Sequence, residues 1–235
     1  MDTEDYCREI EAYLCRKNDG HLIRIVGPSF ERVCSWAAQG IPFKIACEGI
    51  DRYFVRYYAK GPRRRPVQVD FCENDVLDAF EGWRRAVGVR LPGAEVPAEE
   101  SAAKQRKKSL PEHLDRVCEK MTNRRAGVDP LPDDYDRVLE DVTNEVSIFK
   151  DLPSPIRGEV RERVTIRLAE LDRQMLDAAR AHVDATALQE MQREAAEQLS
   201  PFRDRMPAET YDRAISAAVD SLLREREKLP IVSFA

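Results

Sequence analysis

The chain has 235 residues and a formal net charge of −5, with 34% charged and 43% apolar residues but only 7% aromatic. That length suits one large or two small domains, and the apolar content is enough for a core, which excludes disorder throughout. High charge, few aromatics and ten glycines point to helices with long solvated faces rather than a sandwich or barrel, so the expected fold class is mainly α.

Residues 1–93 carry 15 Lys and Arg against 14 Asp and Glu, whereas residues 109–235 carry 19 against 26. Any contact with nucleic acid must therefore be local rather than spread over the surface. The start, MDTEDYCREIEAYLC, is acidic and amphipathic and lacks the basic and continuous apolar regions of a secretory signal. No apolar run approaches the roughly 20 residues that span a bilayer. A soluble, cytoplasmic protein without membrane contact is expected. Cys7, Cys15, Cys34, Cys47, Cys72 and Cys118 form no C-x-x-C pair, which suits reduced thiols better than a metal site.

In chain order, Tyr6, Ile10, Tyr13 and Leu14 recur at helical spacing until Asn18-Asp19-Gly20 stops them. The segment HLIRIVG at 21–27 is short, β-branched and bounded by Gly, which reads as a strand. Ser29 is the expected cap of a second helix through Phe30, Val33, Cys34 and Ala37, ending at Gly40. Pro42 opens a third, with Ile45, Ile50, Tyr53, Phe54 and Tyr57 toward a core, until AKGPRRRP breaks it. Val67, Val69 and Phe71 alternate and are the expected partner of Leu22–Val26 in a two-stranded ribbon. Asp70 with Glu73 has capping-box spacing before a helix carrying Val76, Leu77, Phe80, Trp83 and Val87.

Residues 91–108 lose apolar periodicity, gather Pro, Gly and small residues, and end in KQRKK, which marks a linker. Domains are thus expected at 1–90 and 109–235. In the second, helices are expected from Ser109, Pro132, Ser154–Pro155 and Pro207, with one more over 184–199, together forming a bundle or hairpin. Val160, Val164, Leu168, Leu171, Met175, Ala178 and His182 alternate in steps of four and three. That is a coiled-coil-type seam, and Val164, Leu168, Leu171 and Met175 are its candidate contacts in a homo-oligomer.

No phosphate loop, dinucleotide fingerprint, zinc-helix pair or nucleophile elbow is present, and His21, His113 and His182 are isolated in sequence. A non-enzymatic protein is expected, with no cofactor and no metal. The densest cation run, Lys60 with Arg63, Arg64 and Arg65, joins Arg84 and Arg85 as the candidate phosphate-binding set.

The stretch SFERVCSWAAQGIPFKIACEGIDRYFVRYY with FCENDVLDAFEGWRRAVG, over residues 29–88, resembles the helical module of DnaD-like bacterial primosome proteins. Trp36, Gly40, Ile41, Pro42, Ile45 and Trp83 occupy comparable places, while Asp75 and Ala79 stand where the family's closing helix has Tyr and Ile. The resemblance implies an accessory factor in DNA replication that touches DNA and a helicase loader. A winged-helix reading of the same segment stays open, with its recognition helix beginning IPFKIACEG. EQLSPF at 197–202 is similar to the short peptides that dock on the sliding clamp, and the alternative reading has Phe202 packing back on its own chain. The tail EKLPIVSFA either tucks into the bundle or hooks a partner. The other function reading is a protein-only helical adaptor or oligomerisation scaffold that binds no nucleic acid.

Overall fold

The computed structural model of the chain describes residues 2–59, 61, 65–89, 109–127, 131–153 and 156–234. Among these residues there are nine α-helices and no strand: α1 Thr3–Lys17, α2 Pro28–Gln39, α3 Phe43–Tyr58, α4 Glu73–Ala86, α5 Leu110–Arg125, α6 Asp133–Lys150, α7 Gly158–His182, α8 Ala185–Leu199 and α9 Ala208–Glu227. Two 3-10 turns, Val69–Cys72 and Ser200–Arg205, complete the set. The fold is mainly α. No helix of the described residues is long and apolar enough to cross a membrane. The chain forms two compact units, one made of Met1–Leu91 and Gln198–Ala214, the other of Pro92–Glu197 and Ile215–Ala235. Residues 198–214 thus group with the first unit, although their sequence neighbours read as part of the second bundle.

In the first unit, Asp2 caps α1 by accepting from the Asp5 N–H at 2.8 Å, and Glu4 and Asp5 complement the helix dipole. Asp19 and Gly20 then turn left-handed at φ 56° and 82° and end the helix. Gly40, at φ 79°, closes α2 by donating to the Ala37 carbonyl, and a Cβ there would lie 3.0 Å from the ring of Phe202. A glycine is required at that position on both counts. Phe202 is fully buried, with ring centroids 6.3 Å from Phe80 and 6.1 Å from Trp83. Its side chain packs back on its own unit, so the clamp-peptide reading of EQLSPF loses the exposed aromatic that such a peptide needs.

The two-stranded ribbon does not form. Residues 21–26 are extended but unpaired, and Val69–Cys72 is a 3-10 turn. Side chains of α1 take the place of a strand partner. The Ile25 N–H donates to the Glu11 carboxylate at 2.8 Å, and the Ile23 N–H donates to Cys15 Sγ at 3.3 Å. Asn18, buried at 2% exposure, accepts from the Val67 N–H at 2.7 Å and donates to the Val67 carbonyl at 3.0 Å, as a neighbouring strand would. The alternation of apolar residues reflects a face pressed on a helix: Ile23, Ile25, Val67 and Val69 are buried, while Leu22 and Val26 are exposed. The winged-helix form, which needs that ribbon, has no counterpart among the described residues.

Two predicted caps are also used differently. Pro28, not Ser29, opens α2, and the Ser29 hydroxyl donates to the Asp70 carboxylate at 2.7 Å. Asp70 lies in the 3-10 turn and makes no cap, since α4 begins at Glu73. Both carboxylates of the expected capping box instead hold Arg32 of α2, Asp70 at 3.1 Å and Glu73 in a closer pair. Local spacing suggested a cap, but the Arg32 guanidinium supplied by another helix takes both carboxylates instead.

Helices α3 and α4 pack against each other at a crossing that only glycine allows. A Cβ on Gly49 would sit 2.4 Å from the Val76 Cα, an overlap with backbone that no rotamer change relieves. Glycine inside a helix costs about 1 kcal/mol relative to alanine, and here it lets Ile45, Ala46, Ile50 and Phe54 bury against the partner helix's apolar face.

In the second unit, Ser109 caps α5 by accepting from the Glu112 N–H, as expected, and Asp184 caps α8 through the Thr186 and Ala187 N–H groups at 2.8 and 3.1 Å. The seam residues Val164, Leu168, Leu171 and Met175 are all buried within the chain, so they are not the free face that an oligomer seam would use. The heptad does not persist: Val160 is 41% exposed, and Ala179 rather than Ala178 is buried. A straight helix of 3.6 residues per turn drifts off a seven-residue repeat, which accounts for the shift by Ala179. His182 leaves the seam and stacks on Tyr135 at 4.8 Å.

The C-terminal tail folds onto this unit. The Val232 N–H donates to Asp172 at 2.8 Å, the Val232 carbonyl is 3.0 Å from His113 Nε2, and Arg224 donates to the Pro230 carbonyl at 2.8 Å. Asp172 and Arg224 form a bidentate pair at 2.6 and 3.1 Å with side chains 12% and 14% exposed. Each partner of this ion pair also holds the tail.

Candidate nucleic-acid interface

The last two turns of α3 read YFVRYY, and their residues divide by helical position. Phe54 is buried at 5% exposure, while Tyr53 and Tyr57, expected in the core, are only half-buried. The two tyrosine rings stack at 5.7 Å and 23°, as the i,i+4 spacing allows. Burial raises the Tyr53 hydroxyl above its ordinary value, with Cys72 adding to the effect.

The chain then leaves the helix through the proline-bounded connector and returns at Val67, where Asn18 holds it. The Tyr57 hydroxyl donates to the Arg65 carbonyl at 3.4 Å, which places the end of the connector beside the stacked rings. In the 3-10 turn that follows, residues three apart share a face. Val69 and Cys72 are both buried, so Phe71 between them is directed outward at 59% exposure. Its ring lies nearly parallel to Tyr53, at 6.4 Å and 13°. Burial pushes the Cys72 thiol up to about 12, which keeps this anchor neutral.

Arg56 borders the rings, 5.4 Å from the Tyr53 centroid, but its guanidinium is committed to Asp75 by two bonds of 2.9 and 2.7 Å. The described surface has three rings in succession, an arginine neutralised by Asp75, and the exposed Arg65.

Of the candidate phosphate-binding residues, Arg65, Arg84 and Arg85 are described, and these three differ in exposure and pairing. Arg65 is exposed at the connector, whereas Lys60, Arg63 and Arg64 lie outside the described residues. Arg84 is buried at 9% exposure, pairs with Glu81 at 3.2 Å and lies over the Phe80 ring, so it is unavailable to phosphate. Arg85 is exposed, but twelve residues of α4 separate it from Glu73, about 18 Å along the helix axis. The Arg56–Asp75 pair sets the C-terminal end of α3 beside the N-terminal part of α4, so Arg85 lies at the other end of α4.

Two further clusters carry less. Cys7 and Cys34 approach to 3.8 Å between their sulfurs, and burial pushes the Cys7 thiol up to about 12, an unreactive state. A groove of about 480 Å³ in the second unit has an apolar floor of Val138, Val142 and Leu171, but Arg167 already neutralises Glu145 on its rim. Among the described residues, no group of three or more His, Cys, Asp or Glu is placed to hold a metal ion. No protein-family model, curated protein or solved structure matches this chain.

Proposed function

We propose that this protein is a non-enzymatic accessory factor in DNA transactions, and that its first unit meets DNA phosphates through the connector after α3. The resemblance to DnaD-like proteins makes replication the setting and a helicase loader the expected protein partner. The observation that carries the reading is how charge is distributed. Arg8, Arg32, Arg52, Arg56 and Arg84 of the first unit each face a carboxylate. Between Ala59 and Asp70 the sequence holds Lys60, Arg63, Arg64 and Arg65 and no acidic residue, and Asp70 itself is taken by Ser29 and Arg32. The rest of residues 1–93 holds 11 Lys and Arg against 14 Asp and Glu, so the connector is a local excess of cations on an otherwise acidic segment, which is what phosphate contact requires.

The test is binding of the full chain to DNA across a salt series. Affinity should fall as salt rises, and replacing Arg63, Arg64 and Arg65 together by Ala should flatten the logarithmic slope by up to about three. Absence of binding at low salt would sink the reading and leave the protein-only adaptor in its place.

A further inference from the structure

We infer that the ring stack Tyr57–Tyr53–Phe71 is a base-stacking platform, so that the DNA taken by this protein is single-stranded. The inference rests on the phosphate-binding reading above and adds the form of the ligand.

Three observations converge on it. The rings are near-parallel in succession, 23° between Tyr57 and Tyr53 and 13° between Tyr53 and Phe71. The series ends on Phe71, whose 59% exposure leaves ring surface open to solvent on a residue held in place by buried neighbours at Val69 and Cys72. The Tyr57 hydroxyl holds the backbone at Arg65, an exposed cation, next to the same stack. A flat aromatic end surface beside positive charge matches the alternation of base and phosphate along a single strand. Duplex DNA has no unpaired base to extend the stack, and its contacts would be confined to the cations. Arg56 lies 5.4 Å from the Tyr53 centroid and, paired with Asp75, adds no net charge there.

The experiment measures binding of the full chain to a fluorescent oligo-dT strand and to a duplex of equal length, at several salt concentrations. Phe71→Ala should weaken single-strand binding about tenfold, in the range found for loss of one stacked base, and leave the salt slope and duplex affinity unchanged. Phe71→Leu, which keeps apolar bulk but no ring face, should lose as much. Phe71→Trp should retain binding and gain an exposed indole whose fluorescence is quenched on adding oligo-dT. Wild-type binding that persists unaltered in both Phe71→Ala and Phe71→Leu would overturn the stacking platform while leaving the phosphate-binding reading intact. Failure of the wild-type chain to bind either DNA would overturn both.

Discussion

The two units solve the same problem with different chemistry. Each contains extended backbone that no strand accompanies, residues 21–26 and 65–68 in the first unit and the tail after α9 in the second. Extended backbone exposes N–H and C=O groups that must be satisfied once buried. The first unit relies chiefly on the neutral side chains of Asn18 and Cys15, with Glu11 as the one charged acceptor. The second relies on an ion pair, Asp172 with Arg224, each partner holding the tail as well as the other. The difference teaches where each unit is vulnerable. A neutral amide can be lost at the cost of its hydrogen bonds, but loss of one member of a buried pair leaves a charge without compensation.

The largest expected effect follows from that contrast. Asp172→Ala should destabilise the protein by about 3–5 kcal/mol, because Arg224 and the Val232 N–H both lose their acceptor in a largely buried setting. Urea denaturation followed by circular dichroism measures it, and a loss below about 1 kcal/mol would mean that water replaces the carboxylate and that the tail is held otherwise. Asn18→Ala should cost less, about 2–4 kcal/mol, since both backbone groups of Val67 lose their partner, while the Leu14 carbonyl keeps the bond from the backbone N–H of residue 18. If the two substitutions proved equally costly, the distinction between neutral and charged clamping would fall.

The smallest effect is a pH dependence in the second unit. Bonding to Arg167 holds the Glu145 carboxyl below its ordinary value of 4.5, and bonding to Arg125 holds Asp136 below 3.8. A carboxyl whose folded value is depressed contributes stability above its unfolded value and loses it as the pH falls through the folded one. Glu145→Gln should therefore lower stability at pH 7 by less than about 1 kcal/mol, because the pair is partly exposed. The difference from wild type should shrink as the pH falls below 4.5 and through the depressed folded value. Denaturation curves at pH 7 and pH 3 give the comparison, and a difference that stays constant between them would exclude the ion pair as its cause.

How much of this was legible in the sequence depends on the range of the interaction. Ser109, Gly40 and the Asn18-Asp19-Gly20 stop do what local spacing says, because a cap or a left-handed turn is decided by neighbours along the chain. Ser29 and Asp70 carry equally good local signals and do something else, because Arg32 and each other are closer partners in space than the helix ends they were expected to cap. The alternation at 21–27 correctly marks one buried face, but a strand and a helix side present the same demand to it, so the pattern cannot name its partner.

The candidate site divides in the same way. The cation run was visible as composition, and so was the cluster of tyrosines in YFVRYYAKGPRRRP, although periodicity assigned Tyr53 and Tyr57 to the core. A closer look at aromatics interleaved with cations would have singled them out. Phe71 offered no signal. Its outward direction depends on Val69–Cys72 folding as a 3-10 turn rather than as a strand, and its alignment with Tyr53 depends on the return of the chain past Asn18.

The sequence by itself determined the helical class, most helix ends and the sites of excess charge, since these follow from spacing, capping residues and composition. The tertiary structure alone decided that Arg84 is buried, that the seam of α7 is sealed within its own unit, that Phe202 closes the first unit and that Phe71 faces outward. Each of these turns on which distant side chain fills a given space. That choice is made by packing and by pairing of buried polar groups, and neither is encoded in the spacing of one segment.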